Sequence, residues 1–129
     1  AALYLDQSFV AGIGNYLRSE ILFNAGLNPF DRPKDLSRRQ LGVLARNTLA
    51  LTRQAYATSG VTNTAARVKR LQAMGLSRRR YRHLVFDRQN EDCYHCGGTV
   101  ERIEVSGRRI YVCYACQPSA RAAMTKAEP

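Results

Sequence analysis

The sequence has no long apolar run, and its first residues do not show the pattern of a secretory leader. Its apolar runs are only a few residues long, far short of the roughly 20 residues that a membrane-spanning helix needs. The N-terminus, AALYLDQSFV, does not place basic residues ahead of an apolar segment, as a signal peptide does. We therefore expect a soluble, cytoplasmic protein with no membrane partner.

Acidic residues are also scarce. Ten Asp and Glu stand against twenty Lys and Arg in 129 residues, which gives a formal net charge of +10 and an isoelectric point near 10.0. Only three of the bases are lysine, and the planar fork of arginine suits phosphates and base edges. This balance is typical of nucleic-acid binding. A basic protein without such a partner and a binder of membrane surfaces remain open alternatives.

Four cysteines form the most specific motif. Cys93 and Cys96 make one C-x-x-C pair, Cys113 and Cys116 make a second, and sixteen residues separate the pairs. Each pair can turn two thiolates toward one ion, and two pairs complete a tetrahedral four-sulfur zinc site. Between the pairs lie two segments in which apolar and polar residues alternate, TVERIEV and RRIYVC, and a turn at SGR joins them. This pattern predicts a β-hairpin.

The alternatives for these cysteines are two disulfides or a redox-active C-x-x-C. A cytoplasmic chain disfavours structural disulfides, and no βαβ pattern of the thioredoxin kind flanks the motif. We therefore expect one structural zinc ion per chain, held by Cys93, Cys96, Cys113 and Cys116. His95 is expected to be a solvated loop residue, because a closed four-cysteine site needs no fifth ligand.

The rest of the sequence carries mostly helical patterns. A short helix is predicted at residues 4–10, a second from an N-cap at Asn15 to a stop at Gly26, and a long one from Ser37, where S-x-x-Q forms a capping box. The segment TAARVKRLQAM is predicted to be helical, and HLVFDR to be a strand. The predicted inner face of the long helix consists of Leu41, Leu44, Ala45, Thr48, Leu51, Thr52 and Ala55.

The stretch AGIGN places Gly12 and Gly14 directly before the helix that starts at Asn15. Glycines let a ligand approach the backbone, and the first amides of a helix have no intrahelical partner. With the positive end of the helix dipole they form a site for an anion such as a DNA phosphate. The alternative is a simple tight turn followed by an N-cap, and the stretch alone does not decide between the two.

In combination, LDQSFVAGIGNYLRSEILF, a long helix and a four-cysteine hairpin resemble the C-terminal half of the formamidopyrimidine-DNA glycosylase and endonuclease VIII family, over about residues 3–117. The segment NYLRSEIL is more similar to the endonuclease VIII branch than to the other branch of the family. The favoured lesions of the endonuclease VIII branch are oxidised pyrimidines. The resemblance implies a mainly α fold. It consists of a helix-two-turn-helix domain in residues 1–88 and a zinc-finger hairpin in residues 89–117. The tail in residues 118–129 lies beyond the resemblance and is expected to be flexible, because its residues are small, polar and rich in alanine.

The resemblance also implies roles for single residues. Asn15 matches the asparagine that contacts a DNA phosphate at the lesion. Arg108, five residues before the third cysteine, matches the arginine at the hairpin turn that enters the minor groove or binds phosphates beside the flipped nucleotide. Gly12 and Gly14 are expected to let the phosphate approach the backbone.

One departure from the family pattern concerns catalysis. The family's nucleophile is an N-terminal proline followed by glutamate on a separate β-rich lobe, whereas this sequence begins AALYLDQ. That proline attacks as a secondary amine, so no internal residue can replace it. We therefore expect no catalytic residue here. The sequence is interpreted as the DNA-binding half of a bifunctional glycosylase and AP lyase, unable to excise a base by itself.

The expected partner is double-stranded DNA that contains an oxidised base or an abasic site, bound by a monomer associated with the nucleoid. The main alternative is a non-enzymatic, zinc-containing nucleic-acid-binding module of a ribosomal or transcription-associated kind. A third interpretation is a protein interface, in which the basic segment 61–83 meets an acidic partner.

Overall fold

The computed structural model of the protein describes residues 15–105 and 107–118. Within these ranges the chain is mainly helical with one small β-hairpin, as predicted. The elements are α1 (Asn15–Ala25), a 3-10 turn (Pro33–Asp35), α2 (Arg38–Thr58), α3 (Ala65–Ala73), α4 (Arg78–Tyr81), β1 (Glu101–Val105) and β2 (Arg108–Val112). The predictions for residues 4–10, Gly12, Gly14 and the tail beyond residue 118 lie outside the described residues. None of the helices in the described ranges is both long and apolar enough to cross a membrane.

Helix α1 is the central element. Every residue from Leu17 to Phe23 is buried, because α2 packs on one side of α1 and the hairpin on another. The helix stops before Gly26, as predicted, and the φ of +70° at Gly26 is a conformation that glycine adopts without strain. Asn15 belongs to the first turn of α1 rather than preceding it.

Helices α1 and α2 run antiparallel. In the first turn of α1, the Tyr16 hydroxyl lies 3.7 Å from where a Cβ at Gly60, just after α2, would be. Farther along, the Asn24 side-chain amide donates a hydrogen bond to Asn47 Oδ1 at 2.6 Å. The start of α1 therefore lies beside the end of α2. The core between them is formed by Leu17, Ile21, Leu22, Leu27, Leu36, Leu44, Leu51 and Ala55.

The long helix α2 begins at the predicted capping box. Ser37 Oγ accepts the N–H of Gln40 at 3.1 Å, and Gln40 Oε1 accepts the N–H of Ser37 at 2.8 Å. The predicted inner face, however, is too wide. Its buried members are Leu44, Leu51 and Ala55, and its exposed members are Leu41, Ala45 and Thr52. Because α2 packs mainly against the single helix α1, only a narrow stripe of it is covered.

Helix α3 covers the segment that was predicted to be helical. The Thr64 hydroxyl caps it by accepting the N–H of Arg67 at 3.2 Å. Leu71 is buried, whereas Ala65 and Gln72 are exposed. Residues 78–81, whose sequence has no clear period, form the single-turn helix α4.

The prediction of a strand at HLVFDR is wrong. This segment consists of turns and bends. The backbone amides of Leu84, Val85 and Phe86 donate to the carboxylate of Glu20 on α1 instead of to a neighbouring strand. Buried amides need partners, and here one buried side chain supplies them in place of a ladder.

Strands β1 and β2 form the predicted hairpin. They are antiparallel, with Val105 opposite Arg108. Gly107, in the turn, has a φ of +76°. The hairpin is tied to α1, because the N–H of Tyr111 donates to Ser19 Oγ at 2.9 Å. A second core joins the hairpin, the cysteine pairs, the 84–85 loop and α1; its members are Phe23, Leu84, Val85, Cys93, Val100, Tyr111 and Cys113.

Candidate metal centre and nucleic-acid interface

The four cysteines converge on one point. Their sulfur atoms all lie within 4.8 Å of one another. Cys93 Sγ is 3.8 Å from Cys116 Sγ, and Cys96 Sγ is 3.4 Å from Cys113 Sγ. Around a tetrahedral ion with Zn–S bonds of about 2.3 Å, sulfur atoms lie roughly 3.8 Å apart, so the spacing fits. A disulfide would bring two sulfurs to about 2.05 Å, and all four cysteines are free thiols.

Backbone amides face the sulfurs of the first pair. The N–H groups of His95 and Gly98 lie 3.4 and 3.3 Å from Cys93 Sγ and Cys96 Sγ. The Gly98 amide is the main reason why the pKa of the Cys96 thiol falls to about 7. Burial raises the pKa of Cys113 and of Cys116, so a bound cation is what would hold these two thiols in the ionised form. The donor set is therefore suited to a soft divalent metal.

The two residues inside the first pair attach the cysteine site to the helices. The Tyr94 ring lies under two guanidinium groups, those of Arg67 on α3 at 4.6 Å and of Arg88 at 3.7 Å. The His95 ring lies 4.7 Å from the Phe23 ring of α1. His95 is exposed, as expected for a loop residue, but its ring contact also anchors the first pair on α1. Tyr94 is therefore a packing residue.

The second cysteine pair is attached through Gln117 and Asn28, which are both buried. Gln117 Nε2 donates to the carbonyl of Leu27 at 2.9 Å, and Gln117 Oε1 accepts the N–H of Cys113 at 3.0 Å. Asn28 Nδ2 donates in turn to the carbonyl of Gln117 at 2.9 Å. Both cysteine pairs are thus fixed to the end of α1 or to the turn that follows it.

A cationic cavity lies between α1 and the turn of the hairpin. Arg108 is the first residue of β2 and follows Gly107 directly. It lines a cavity of about 330 Å³ together with Arg18 of α1, and burial followed by the charge of Arg108 lowers the pKa of Arg18. The lining residues are Arg18, Phe86, Gly107, Arg108, Arg109 and Tyr111. Arg18, Arg108 and Arg109 concentrate positive charge at this cavity, and such a charge attracts an anion.

Sequence reasoning did not identify Arg18 as a site residue. Arg18 lies three residues after Asn15, so the two positions are neighbours on one face of α1, one turn apart. It is buried on the helix, and arginine is seldom buried without an electrostatic reason. The sequence did contain a signal for this site residue, because Arg18 lies between the apolar positions Leu17 and Ile21.

The predicted DNA-binding residues have different outcomes. Arg108 does lie at the hairpin turn and faces a cationic cavity. Asn15 does lie at the start of a helix, where the dipole favours an anion. Gly12 and Gly14 lie outside the described residues, and the DNA-binding roles of Gly12, Gly14, Asn15 and Arg108 all stay predictions.

Comparison with known proteins bears on this arrangement. The family model of the formamidopyrimidine-DNA glycosylase helix-two-turn-helix (H2TH) domain matches residues 1–66. Endonuclease 8 of Escherichia coli O127:H6 (strain E2348/69) is 41% identical over 117 residues, which cover 91% of this chain and 41% of that protein. The chain thus spans about two fifths of the length of the curated relatives it matches.

Two solved structures are similar in fold. MutM (Fpg) of Thermus thermophilus has a TM-score of 0.70 and 32% identity, with 92% of this chain and 44% of that chain covered. Lactococcus lactis Fpg in complex with DNA containing an abasic site has a TM-score of 0.69 and 25% identity, with 89% and 40% covered.

The helical part and the cysteine hairpin thus define a protein of the H2TH class. Within that class, the chain belongs to the formamidopyrimidine-DNA glycosylase and endonuclease VIII family.

Proposed function

We propose that this chain is the DNA-binding, C-terminal half of a bifunctional DNA glycosylase and AP lyase of base-excision repair, acting on oxidised bases and favouring pyrimidines. The observation that carries the proposal is the cationic cavity at Arg108, which lies against α1. The likeness to Endonuclease 8 supports the branch and the activity. The similar Lactococcus lactis Fpg, solved with abasic-site DNA, supports the kind of partner.

In this proposal the chain contacts DNA at two points that one helix connects. Gly12, Gly14 and Asn15 take a phosphate at the start of α1, and Arg108 enters beside the flipped nucleotide. The hydrogen bond from the Tyr111 amide to Ser19 Oγ ties the hairpin to the same helix. The two contact points then keep a fixed separation, so little conformational entropy is lost on binding.

We further propose that Cys93, Cys96, Cys113 and Cys116 hold one structural zinc ion per chain. The protein fills all four ligand positions, so the ion would hold the hairpin in shape and take no part in the chemistry on the base. The contacts of Tyr94 and His95 with the helices would then transmit that fixed shape to α1 and α3.

The proposed organisation is a helix-two-turn-helix domain in residues 1–88, a zinc finger in residues 89–117 and a tail in residues 118–129. We propose that the protein acts as a monomer on double-stranded DNA of the cytoplasmic nucleoid. The 129-residue chain by itself is expected to bind damaged duplexes without excising a base. A covalent product trapped with borohydride by the pure chain would contradict this last point.

The decisive experiment compares Arg108→Ala with Arg102→Ala. Both variants remove one arginine of the hairpin, but Arg102 is exposed on β1 and is not among the residues that line the cavity. Arg108→Ala is expected to weaken binding to a duplex with an oxidised pyrimidine or an abasic site by about tenfold or more, and to affect an undamaged duplex far less. Arg102→Ala is expected to affect both duplexes slightly and equally. Titration of labelled duplexes at fixed salt measures this.

The alternative functions predict other results. An equal loss on damaged DNA, undamaged DNA and RNA in Arg108→Ala would favour a non-enzymatic nucleic-acid-binding module. An acidic protein that binds the chain and is not displaced by DNA would favour a protein interface on the basic segment 61–83.

A further inference from the structure

The helices α2 to α4 lie in a stretch that contains no acidic residue. Residues 36–86 hold eleven Arg and Lys and no Asp or Glu. Four of these bases are on α2, three on α3, three on α4, and Arg82 follows α4. Such a concentration of one sign of charge destabilises a fold by self-repulsion, so an external anion is the natural counterpart.

Some of these bases are used by the fold. Arg67 Nη1 donates to Asn63 Oδ1 at 2.9 Å, and the Arg67 guanidinium also lies over the Tyr94 ring. Arg78 Nη2 donates to the carbonyl of Ser59 at 2.7 Å, where it helps to cap α2. Arg79 pairs with Asp87 at 3.4 Å.

Three other bases of α3 and α4 are exposed to solvent. Lys69 and Arg70 on α3 and Arg80 on α4 are exposed. Among the described residues, none of the three has a carboxylate within ion-pair distance. We call Lys69, Arg70 and Arg80 the outer bases.

The helices that carry the outer bases are attached to α1 and to the cysteine site. The chain leaves α4 and reaches His83, whose ring lies 4.9 Å from the Tyr16 ring in the first turn of α1. On the other side, α3 is attached to the first cysteine pair through Arg67 and Tyr94. Helices α3 and α4 are therefore held to α1, which begins at Asn15, and to the cysteine site, from which the hairpin with Arg108 extends.

We propose that Lys69, Arg70 and Arg80 form a second phosphate-binding surface, which takes the sugar-phosphate backbone of the duplex that flanks the site held by α1 and Arg108. This inference rests on the proposed function. A duplex carries a negative charge about every 1.7 Å of its axis, and α3 alone extends over roughly 13 Å. Exposed bases on two anchored helices match that repeated charge, and they contribute affinity without reading sequence.

The test compares two triple variants of equal charge. Lys69→Gln, Arg70→Gln and Arg80→Gln together remove the outer bases. Arg38→Gln, Arg39→Gln and Arg46→Gln together remove three exposed bases of α2. These control positions lie toward the start of α2, and the first turn of α1 lies beside its end, roughly 20–30 Å away at 1.5 Å per residue.

Affinity for a 30-base-pair duplex with a central abasic site is measured over a range of salt concentrations. Each phosphate contact contributes about 0.9 to the slope of log K against log salt, so the outer-base variant should lose about 2 in slope. The control variant should lose about 0.5 or less. On a 10-base-pair duplex, which lacks the flanks, the outer-base variant and the native chain should bind almost equally.

Equal slopes in the two triple variants would overturn the proposal, because they would show an effect of net charge alone. An unchanged slope in the outer-base variant would overturn it as well. Poly-glutamate that competes as well as duplex DNA of equal charge, and only with the native outer bases, would assign this surface to acidic proteins and also overturn it. Both variants are checked for native helicity and metal content.

The result that would refute the proposed function differs from the result that would refute only this inference. A native chain that does not bind the damaged duplex at all would remove the proposed function and the inference together. Binding that depends on Arg108 but not on the outer bases would remove only the inference.

Discussion

Glu20 accepts a hydrogen bond from the backbone amide of Val85 at 2.8 Å, across 65 positions of the chain. The same carboxylate accepts the amides of Leu84 at 2.5 Å and Phe86 at 3.2 Å, and the Thr62 hydroxyl. Glu20 is fully buried. One acidic side chain thus fixes the loop between α4 and the cysteine site onto α1.

We predict that Glu20→Gln destabilises the protein by about 3 kcal/mol, because the amide nitrogen would face N–H donors and leave buried amides without partners. Glu104→Gln is the matched control, since Glu104 is exposed on β1, and it should change stability by less than about 0.5 kcal/mol. Urea unfolding followed by far-UV circular dichroism measures both. A similar small change in the two variants would show that the Glu20 contacts contribute little.

Removal of the metal should unfold the hairpin before the helices. Metal analysis of the purified chain is expected to give one zinc ion per chain, and a strong chelator should expose the β1 and β2 amides to hydrogen exchange. Amides of α2 should keep their protection longer, because their core partners lie on α1. Stoichiometric disulfides in the purified chain would contradict the zinc site.

Ser37→Ala should cost about 1 kcal/mol, because it removes the hydroxyl that accepts the Gln40 amide at the start of α2. Ser77 offers a matched control. It is the residue before α4, but its side chain forms no cap hydrogen bond. Thermal unfolding should therefore separate Ser37→Ala from Ser77→Ala by several degrees, and equal melting temperatures would refute the role of the capping box.

Asn28→Ala should cost about 1–3 kcal/mol, because it leaves the buried carbonyl of Gln117 and the amide of Phe30 without their side-chain partner. The matched variant is Asn24→Ala, whose hydrogen bond to Asn47 is exposed and should be worth less than about 1 kcal/mol. Because Gln117 also holds Cys113, Asn28→Ala should in addition release zinc to a chelator faster. Metal release at the native rate would show that this link does not support the site.

Features that depend on local spacing could be predicted from the sequence. The convergence of the four cysteines follows from two C-x-x-C pairs joined by a hairpin-length spacer, and the start of α2 follows from Ser37 and Gln40 three residues apart. The position of Arg108 at the turn followed from the resemblance to the family and from the glycine before it. Arg18 could also have been predicted as a site residue from local spacing, because it lies three residues after Asn15 and therefore on the same face of α1.

Features that depend on distant contacts could not be predicted. The segment HLVFDR has strand-like residues, but its amides bond to Glu20, and nothing in the local pattern reveals a partner 64 residues away. The width of the buried stripe on α2 depends on how many elements cover it, so Leu41 and Thr52 were placed inside although they are exposed. The electrostatics of Arg18 and Arg108 required the fold to bring them together.

The bond between Tyr111 and Ser19 has one more consequence. It holds the hairpin against α1, so the distance between Asn15 at the start of α1 and Arg108 at the hairpin turn is fixed. The protein then cannot adjust this distance to the DNA. Under the proposed function, a duplex that contacts both residues must bend, and bending costs less free energy where a damaged or missing base has weakened base stacking. Selectivity for damaged sites would then come partly from the flexibility of the DNA, at positions that no side chain touches.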